Sequence, residues 1–405
     1  MTTTPAPSPT ASLATGARAR LRAADCRLED FVALVDQHTD LADYPHADRI
    51  DRDVLIYDSA SLRSAVLTDA GREAVEAELV RALTTGPGIV VLAGAYADAT
   101  VVDRATSVFD AMIADQHASG ATAGDHFAKP GANDRVWNAL EKLAVRDPDT
   151  FVDYYANDMI ALISRAWLGP GYQVTSQVNV VRPGGQRQDP HRDYHLGFLS
   201  NDVVEEYPTH VHLLSPVLTL QGAVAHSDMP VESGPTMYLP YSHQYDAGYL
   251  AWRQDAFRDY FLDHYVQLPL SKGDAAFFNP ALFHGAGTNV SSDIQRVANL
   301  LQVSSAFGRA MEVVDRSKTS RAIYPSLVAR TASGVDPTLV DNAIAASAEG
   351  YPFPTNLDRD QPVGDRLTPP SQAEVVRQAV AENWSAEALG EAFAAYDERR
   401  RTDDI

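Results

Sequence analysis

Residues 176–195 read SQVNVVRPGGQRQDPHRDYH and join a strand to two candidate metal ligands. Alternating β-branched residues predict a strand over 173–181, and a Pro-Gly-Gly turn ends it. His191 and Asp193 follow this turn. Alternate residues of an extended segment face the same way, so these two side chains converge on one point. The stretch therefore predicts a sheet with a His-x-Asp pair just beyond the end of one of its strands.

A His-x-Asp pair is not specific by itself. With 12 histidines in the chain, about one such pair is expected by chance. The chain holds four: His38 with Asp40, His46 with Asp48, His191 with Asp193, and His226 with Asp228. The first two lie in the polar stretch 37–51, which is typical of a solvated loop, and are discarded. The last closes a predicted strand over 217–224, where Asp228 can instead cap backbone amides in a turn.

A third ligand is predicted in GDAAFFNPALFHGAGTN, residues 273–289. His284 follows a strand predicted over 275–278, and Gly285 and Gly287 allow close backbone approach. Two histidines and one carboxylate suit an iron that keeps open positions for oxygen and a co-substrate. Arg296 begins the apolar strand predicted over 297–303, where burying its charge needs a partner. The partner is either an internal Asp or Glu, or a dicarboxylate such as 2-oxoglutarate.

The residue pattern in the rest of the sequence indicates an α+β chain. Residues 20–170 are predicted to be mainly helical around a strand at 89–92, with one helix following Asp149 and Thr150 and ending at Gly169. Residues 172–306 hold regular short strands, which suggest a sandwich or jelly roll. The aromatic, helical segment 241–265 is either a lid or a packed insertion. Beyond 310 we expect Pro-containing loops and a helical tail over 371–400.

Composition excludes several classes of function. The formal charge of −21, from 54 acidic and 33 basic residues, disfavours nucleic acid and anionic membranes as partners. The single cysteine, Cys26, excludes an intramolecular disulfide and a thiolate cluster. Residues 1–20 are predicted to be a disordered tail without a secretory signal, and no apolar run is long enough to span a bilayer. A cytoplasmic location is expected, and self-association into a homo-oligomer is left open.

Three motifs together resemble the phytanoyl-CoA dioxygenase family of Fe(II)/2-oxoglutarate oxygenases. They are QVNVVRPGG leading to His191 and Asp193, ESGPTMYLPYSH at residues 232–243, and residues 273–289 followed by Arg296. The resemblance covers roughly residues 85–305 and implies a double-stranded β-helix (jelly-roll, cupin-like) core. The domains implied are an oxygenase domain at 21–308, helical to about 170, and a C-terminal extension at 309–405.

The resemblance also implies roles for particular residues. His191, Asp193 and His284 are implied to hold Fe(II), and Arg296 to bind the distal carboxylate of 2-oxoglutarate. Asn179 and, two residues earlier, Gln177 are further candidates for contacting the co-substrate. Three departures from the family pattern occur. Ala286 stands where relatives often have Ser, so that Thr288 or Thr236 is left to supply a hydroxyl, and Tyr241 stands where a turn usually has Gly. The C-terminal extension beyond about residue 310 is longer than the common family core.

The function expected is an O₂-consuming dioxygenase that hydroxylates or otherwise oxidises a small organic molecule in specialised metabolism, releasing succinate and CO₂. Halogenating relatives replace the carboxylate ligand with a small residue, whereas Asp193 is present here. An acyl-CoA hydroxylase, with Arg182, Arg187 and Arg192 as a basic cluster, and a non-catalytic jelly-roll binding module are the alternatives. Four more histidines are candidates for the substrate pocket: His195, His210, His212 and His243.

Overall fold

Eleven strands form two sheets in the parts of the chain that the computed structural model describes, residues 19–120 and 133–402. The strands are β1 (Arg49–Asp51), β2 (Val54–Asp58), β3 (Ile89–Ala93), β4 (Asn133–Val136), β5 (Gln173–Val181), β6 (Thr219–Ala225), β7 (Met237–Leu239), β8 (Val266–Gln267), β9 (Ala275–Phe278), β10 (Phe283–Gly285) and β11 (Arg296–Ser304). Eight of them form one sheet in the order β1-β2-β3-β9-β6-β11-β5-β4, and three form a second in the order β10-β7-β8.

Fifteen α-helices are found in the same described ranges. They are α1 (Leu28–Val35), α2 (Ser59–Ala65), α3 (Asp69–Thr84), α4 (Ala99–Ala118), α5 (Ala139–Arg146), α6 (Pro148–Tyr155), α7 (Asp158–Leu168), α8 (Asn201–Val204), α9 (Thr209–Val217), α10 (Gly248–Ala251), α11 (Asp255–His264), α12 (Arg316–Ala332), α13 (Pro337–Ser347), α14 (Gln372–Ala381) and α15 (Ala386–Arg400). None of these helices combines the length and apolar character needed to cross a membrane.

The long strand β11 organises the larger sheet. It pairs antiparallel with β5 on one side and with β6 on the other. Gln302 consequently lies opposite both Thr175 and Gln221. Because strand residues alternate between faces, β11 directs one set of its side chains into a cavity and the other set toward the helices. The cavity set is Arg296, Ala298, Leu300 and Gln302.

The smaller sheet lies against the same face of the larger one. Tyr238 of β7 packs its ring at 5.1 Å from that of Phe278 on β9, and both belong to one buried apolar cluster. Side chains from both sheets line the cavity. The cavity therefore lies between the two sheets.

The opposite face of the larger sheet is covered by helices. The largest apolar cluster joins side chains of β5, β6 and β11 to those of the helices on both sides of the strand region in sequence. Helix α12 packs against α5 and α6, and α13 packs against α6 and α7. The C-terminal helices thus complete the same core that the N-terminal helices begin.

The strand predictions are confirmed closely. The strands predicted over 173–181 and 275–278 are β5 and β9 with the predicted bounds, and those at 89–92 and 297–303 are each extended by one or two residues. The strand predicted from residue 217 begins only at Thr219, because Val217 ends helix α9. These strands are hydrogen-bonded to a neighbouring strand on each side and are buried. Buried strands are rich in β-branched and apolar residues, which explains why their bounds could be predicted.

The single helix predicted from residue 149 to Gly169 is wrong. Two helices, α6 and α7, occupy this range, and Asn157 separates them. The Asn157 side chain accepts hydrogen bonds from the backbone N–H groups of Met159 (3.0 Å) and Ile160 (2.9 Å). An Asn at such a position competes with helix continuation and caps the next helix instead. The apolar spacing continues across the break, which conceals it in the sequence.

The prediction for the C-terminal region also needs correction. Helices α12 and α13 occupy residues that were predicted to be loops, and the predicted tail helix is two helices, α14 and α15. Pro325 lies inside α12 and Pro337 begins α13, so proline does not mark loops here. The capping box formed by Ser371 and Glu374 begins α14 as the sequence suggested. Residues 1–18 of the predicted tail lie outside the described residues.

The segment 241–265 is a packed insertion. Helix α11 directs Phe257 and Phe261, and α10 directs Ala251, into a buried cluster with Tyr245 and with Phe31 of α1. Phe31 contacts the rings of Tyr245 and Phe257 at 5.4 and 5.2 Å. Of the two alternatives for this segment, the structure favours the packed insertion over the lid.

Candidate active site

The two histidines of the predicted triad are joined through the backbone. His191 donates its N–H to the carbonyl of His284 at 2.9 Å, and His284 donates to the carbonyl of His191 at 3.1 Å. Their ring centroids lie 4.5 Å apart. The strand bridge therefore brings together two residues that are 93 positions apart in the chain.

Each imidazole has one nitrogen engaged and the other available. His191 Nδ1 lies 2.9 Å from the carbonyl of Asp189, and His284 Nδ1 lies 2.9 Å from the carbonyl of Leu282. A carbonyl only accepts, so Nδ1 carries the proton in both rings. This leaves the lone pair of each Nε2 to face Asp193, which is the tautomer that a metal ligand requires.

Asp193 completes the group. Its Oδ1 lies 3.8 Å from His191 Nε2 and its Oδ2 lies 3.7 Å from His284 Nε2. Gln221 on β6 donates its amide to Asp193 Oδ2 at 2.7 Å, and the Tyr249 hydroxyl donates to the Asp193 carbonyl at 3.2 Å. Burial alone would raise the pKa of Asp193, but the nearby histidines and the hydrogen bond from Gln221 lower it to about 2.

The donor set fits a small divalent metal of the iron type. One ligand atom from each of His191, Asp193 and His284 lies within 4.8 Å of the others. Two imidazoles and one carboxylate on one side, with the cavity on the other, match the ligand set of non-haem iron(II) sites that keep open positions. Calcium fits this donor set less well, because it requires more oxygen ligands.

Arg192, between the two predicted ligands, supports the loop. It is buried and donates to the carbonyls of Ser242 (2.6 Å) and Tyr245 (2.9 Å). Its guanidinium lies over the rings of Tyr249 and Phe283. A Cβ at Gly248 would overlap this guanidinium, so glycine is required there. Arg192 thus ties the His-x-Asp turn to the packed insertion.

The three residues open onto a cavity of about 700 Å³ between the sheets. Arg296 lines it and is only 6% exposed. Within the described ranges no carboxylate lies within 4.0 Å of its guanidinium; the one hydrogen bond is to the Ser233 carbonyl, at 3.5 Å. Burial lowers the pKa of Arg296 to about 10, so it remains charged at neutral pH. Its buried charge is therefore left to be neutralised by something that enters the cavity.

The other predicted co-substrate residues are not all in the cavity. Asn179 and Gln177 line it from β5, and Thr236 and Ala286 line it as well. Thr288 is not among the lining residues in the described ranges, and its hydroxyl accepts a hydrogen bond from the backbone N–H of Arg187 at 3.1 Å. Of the two candidates to replace the family serine, the geometry favours Thr236.

Sequence reasoning missed several cavity residues that the sheets bring together. They are Arg135, Trp137, Gln221, Tyr238, Trp252 and Gln302. Polar residues inside otherwise apolar strands, such as Gln221 and Gln302, were a usable signal, because they need a reason to be buried. The side chains of Trp137 and Trp252 carried no such signal, since aromatic residues are common in any core.

The rejected His-x-Asp pairs have structural roles. His226 is buried with Nδ1 at 2.8 Å from the Thr106 hydroxyl and Nε2 at 2.8 Å from the Tyr154 hydroxyl, so neither nitrogen is available. Asp228 accepts the backbone N–H of Lys272 at 2.9 Å, as expected for a turn. His38 and His46 pair instead with Asp53 and Glu78.

The additional histidine candidates do not line the cavity in the described ranges. His243 contacts the Thr84 carbonyl at 2.8 Å, and His195 contacts the Ser215 hydroxyl at 3.3 Å. His212 is buried near Tyr249. The expectation that these histidines shape the pocket is therefore not supported.

Comparison with known proteins identifies relatives of oxygenase type. A curated relative, dioxygenase trt7 from Aspergillus terreus, is 26% identical over 195 residues, which cover 48% of this chain and 60% of the relative. Among solved structures, the α-ketoglutarate-dependent epimerase SnoN from nogalamycin biosynthesis is 21% identical, with 59% of this chain and 84% of SnoN covered and a TM-score of 0.38. AviO1 from Streptomyces viridochromogenes is 17% identical, with 57% and 95% covered and a TM-score of 0.41.

A family match covers the central part of the chain. The description "Phytanoyl-CoA dioxygenase (PhyH)" matches residues 68–298, more than half of the chain. This range contains His191, Asp193, His284 and Arg296 together with both sheets, apart from β1, β2 and the end of β11. The cofactors of the family, iron and 2-oxoglutarate, fit the donor set and the unneutralised arginine described above. The chain belongs to the phytanoyl-CoA dioxygenase (PhyH) family of 2-oxoglutarate-dependent oxygenases.

Proposed function

We propose that the protein is an Fe(II)/2-oxoglutarate-dependent dioxygenase that oxidises a C–H bond of a small organic molecule in specialised metabolism. His191 Nε2, a carboxylate oxygen of Asp193 and His284 Nε2 are the proposed iron ligands. Arg296 is the proposed partner of the distal carboxylate of 2-oxoglutarate. When bound, iron and 2-oxoglutarate supply the oxidation of the substrate by O₂, with release of succinate and CO₂.

The single observation that carries this proposal is the buried Arg296 in the same cavity as the triad. A guanidinium that is 6% exposed, with one long hydrogen bond to a carbonyl, is costly unless an anion accompanies it. A carboxylate satisfies a guanidinium through two parallel hydrogen bonds. Because Arg296 and the triad line the same cavity, the proposed dicarboxylate binds both, whereas a monocarboxylate bound to Arg296 would leave the triad free.

The protein contributes orientation and exclusion of water. The carbonyls of Asp189 and Leu282 fix the proton on Nδ1 of each histidine, and Gln221 holds one oxygen of Asp193. Trp252 lies near His191, with ring centroids 6.5 Å apart, and covers the triad on the side of the packed insertion. These contacts keep the ligand geometry fixed while the cavity side stays open to small molecules.

Hydroxylation, or another oxidation that begins with hydrogen abstraction, is the reaction that Asp193 supports. Its carboxylate is buried, ionised and held by Gln221, so it occupies the position that halide-binding relatives leave open. A cavity of about 700 Å³ suits one drug-sized substrate beside the co-substrate. This combination favours a small-molecule hydroxylase.

An acyl-CoA substrate is less well supported. Of the three arginines considered for its phosphates, Arg192 is buried and bonded to backbone carbonyls, and Arg182 pairs with Asp134. Arg187 alone of the three is partly exposed at the cavity, and it pairs with Asp189 at 3.4 Å. A non-catalytic binding module would have no need for the three assembled ligands or for a buried, unneutralised Arg296.

The architecture supports a double-stranded β-helix core over residues 172–306 within an oxygenase domain at 21–308. The antiparallel pairing of β5, β11, β6 and β9 opposite the sheet of β10, β7 and β8 is the basis for this proposal. Residues 309–405 are the proposed C-terminal extension, which packs on α5, α6 and α7. The cytoplasm is the proposed location because Fe²⁺ stays reduced there.

The proposal is tested by anaerobic addition of Fe²⁺ and 2-oxoglutarate, followed by visible absorption. A chelated keto acid on iron(II) gives a weak charge-transfer band, which we expect in the wild type and in His38→Ala but not in His191→Ala. His38 is an exposed histidine outside the cavity and serves as the matched control. Absence of the band from the wild type, or its persistence in His191→Ala, would refute the proposed site.

A further inference from the structure

Four carboxamide side chains line the cavity from the larger sheet. Gln177 and Asn179 lie on β5, Gln221 on β6 and Gln302 on β11. All four are buried: Gln177 and Gln221 are 4% exposed, and Asn179 and Gln302 are 8% exposed. Four buried amides in one cavity wall are unusual, because each needs several hydrogen bonds to offset the loss of water.

Three of these amides have an oxygen without a partner. The side-chain oxygens of Asn179, Gln221 and Gln302 are buried and accept no hydrogen bond from any described residue. The Gln177 oxygen, by contrast, accepts from Arg135 at 3.2 Å. An unmade hydrogen bond at a buried polar atom costs stability, so these oxygens indicate that a ligand completes the wall.

The unpartnered oxygen of Gln302 is the one that 2-oxoglutarate cannot satisfy with a hydrogen bond. It lies six residues along β11 from Arg296, which is about 20 Å between Cα atoms at the rise of a strand. The terminal carbons of 2-oxoglutarate are only about 5 Å apart, from four carbon-carbon bonds. Asn179, opposite Ala298, is close enough to Arg296 to serve the co-substrate. The distal carboxylate of 2-oxoglutarate is therefore far from Gln302, and its keto-acid end carries no hydrogen-bond donor for the unpartnered Gln302 oxygen, so this part of the wall is left for the substrate.

The position of Gln302 places it beside the iron site. It lies directly opposite Gln221, and paired residues of neighbouring strands have Cβ atoms about 5 Å apart. Gln221 in turn donates to Asp193. A molecule that bonds to Gln302 is thus held next to the carboxylate ligand, on the side where the substrate must approach the metal.

The charges of the cavity argue for an uncharged ligand at this wall. The carboxylates among the described lining residues are Asp189, which pairs with Arg187 at 3.4 Å, and Asp193, which belongs to the triad. Arg135 donates to Gln177 and lies 4.8 Å from the centre of the Trp137 ring. Arg135 also interacts electrostatically with the carboxyl group of Glu312, so neither sign of charge is left over near Gln302. Trp137, Phe198 and Trp252 add an aromatic surface.

We propose that Gln302, with Gln221, forms a substrate subsite for a neutral, polyhydroxylated compound that also carries an aromatic or alicyclic body. A hydroxyl group both donates and accepts, so it complements the oxygen and the nitrogen of a carboxamide together. The apolar body packs on the aromatic side chains of the cavity. This inference rests on the proposed function, because it takes the Arg296 end of the cavity to hold the co-substrate.

The test uses four matched probes and ligand-observed NMR on the protein loaded anaerobically with Fe²⁺ and 2-oxoglutarate. The probes are 4-nitrophenyl β-D-glucopyranoside, its tetra-O-methyl ether, the corresponding glucuronide, and the 6-amino-6-deoxy glucoside. They share one aromatic group and differ in hydroxyl donors or in charge. We expect the glucoside to bind and the methyl ether to bind at least about 10-fold more weakly, because methylation removes every donor.

Variants localise the effect to Gln302. Gln302→Met keeps the length of the side chain and removes its polar atoms, so glucoside binding is expected to weaken about 5- to 10-fold. Gln378→Leu, on the exposed face of α14, is the control and should leave binding unchanged. The comparison between glucoside and methyl ether needs only the wild type, so it decides the question even if Gln302→Met fails to fold.

Four results would overturn the inference: equal binding of glucoside and methyl ether, unchanged glucoside binding in folded Gln302→Met, tighter binding of either charged probe, or no binding of any probe. The charge-transfer band is recorded in the same wild-type sample. A band without glucoside binding contradicts this inference alone, whereas a missing band contradicts the proposed function and the inference with it.

Discussion

His191 and His284 exchange two backbone hydrogen bonds, with N–H to carbonyl distances of 2.9 and 3.1 Å. The bridge means that the relative position of the two imidazoles is set by main-chain pairing and not by flexible side chains alone. Each ring is also held through Nδ1 by a carbonyl two residues earlier in the chain. Main-chain contacts thus hold both imidazoles in place, which suits a centre that must exchange its other ligands during turnover.

Gln221→Leu is expected to weaken iron binding by at least about 10-fold, because partners of metal-bound carboxylates typically contribute that much to metal affinity. Gln221 donates to Asp193 at 2.7 Å, and leucine of similar size cannot. Metal affinity is measured by anaerobic titration with Fe²⁺. Gln378→Leu, which changes an exposed glutamine on α14, is the control. An unchanged affinity in Gln221→Leu would show that the hydrogen bond does not support the metal.

Arg296→Leu is expected to abolish binding of 2-oxoglutarate at concentrations that saturate the wild type, while Fe²⁺ still binds. The metal-free, co-substrate-free variant should also unfold at the same or a higher temperature than the wild type. The reason is that the substitution removes a buried charge that has no carboxylate within 4.0 Å among the described residues. Calorimetry measures both effects. A large fall in melting temperature would instead indicate that Arg296 has a structural partner.

Acidification is expected to destabilise the protein partly through His226 and His243. Burial lowers the pKa of His226 from 6.5 to about 3 and that of His243 to about 4. Below pH 6.5 the unfolded chain binds protons at these histidines that the folded chain does not. Their contribution to the free energy of unfolding is therefore fully present above pH 6.5 and is lost as the pH falls toward the pKa of each histidine in the folded protein. Between pH 6.5 and 5 the loss is about 2 kcal/mol for each histidine.

Urea denaturation at pH 7 and pH 5 checks this prediction. His226→Gln should reduce the difference in unfolding free energy between the two pH values, because glutamine does not titrate. The exposed His38→Gln should leave the difference unchanged. Equal pH dependence in His226→Gln and the wild type would contradict the assigned role of His226.

Asn157→Ala is expected to lower the free energy of unfolding by about 1 kcal/mol, the usual cost of losing an N-cap. Between α6 and α7, the Asn157 side chain accepts hydrogen bonds from the backbone N–H groups of Met159 and Ile160. Asn157→Ser keeps a capping oxygen and should recover most of this loss, although it gives up the bond from Asn157 Nδ2 to the Ala95 carbonyl. Chemical denaturation compares the three proteins. Equal stability of the alanine and serine variants would show that capping is not the cause.

The sequence by itself determined the elements whose local residue pattern is distinctive. Strands β5 and β9 have the predicted bounds because β5 alternates β-branched with polar residues and β9 is a continuous apolar run, and turn residues follow both. The grouping of His191, Asp193, His284 and Arg296 in one cavity follows from strand ends and glycine turns that were visible in the chain. The break at Asn157 and the helices α12 and α13 were missed because capping by Asn and proline within helices resemble loop signals.

The tertiary structure alone decided which polar residues share the cavity. Gln221 and Gln302 are 81 residues apart in sequence, and only the pairing of β6 with β11 places them side by side. The same is true of Trp252, which reaches the cavity because the 241–265 segment packs on α1. Cross-strand and inter-element contacts depend on register and packing, which no local pattern encodes. The residues of the candidate metal site could therefore be predicted from the chain, whereas the amide-lined wall of the cavity could not.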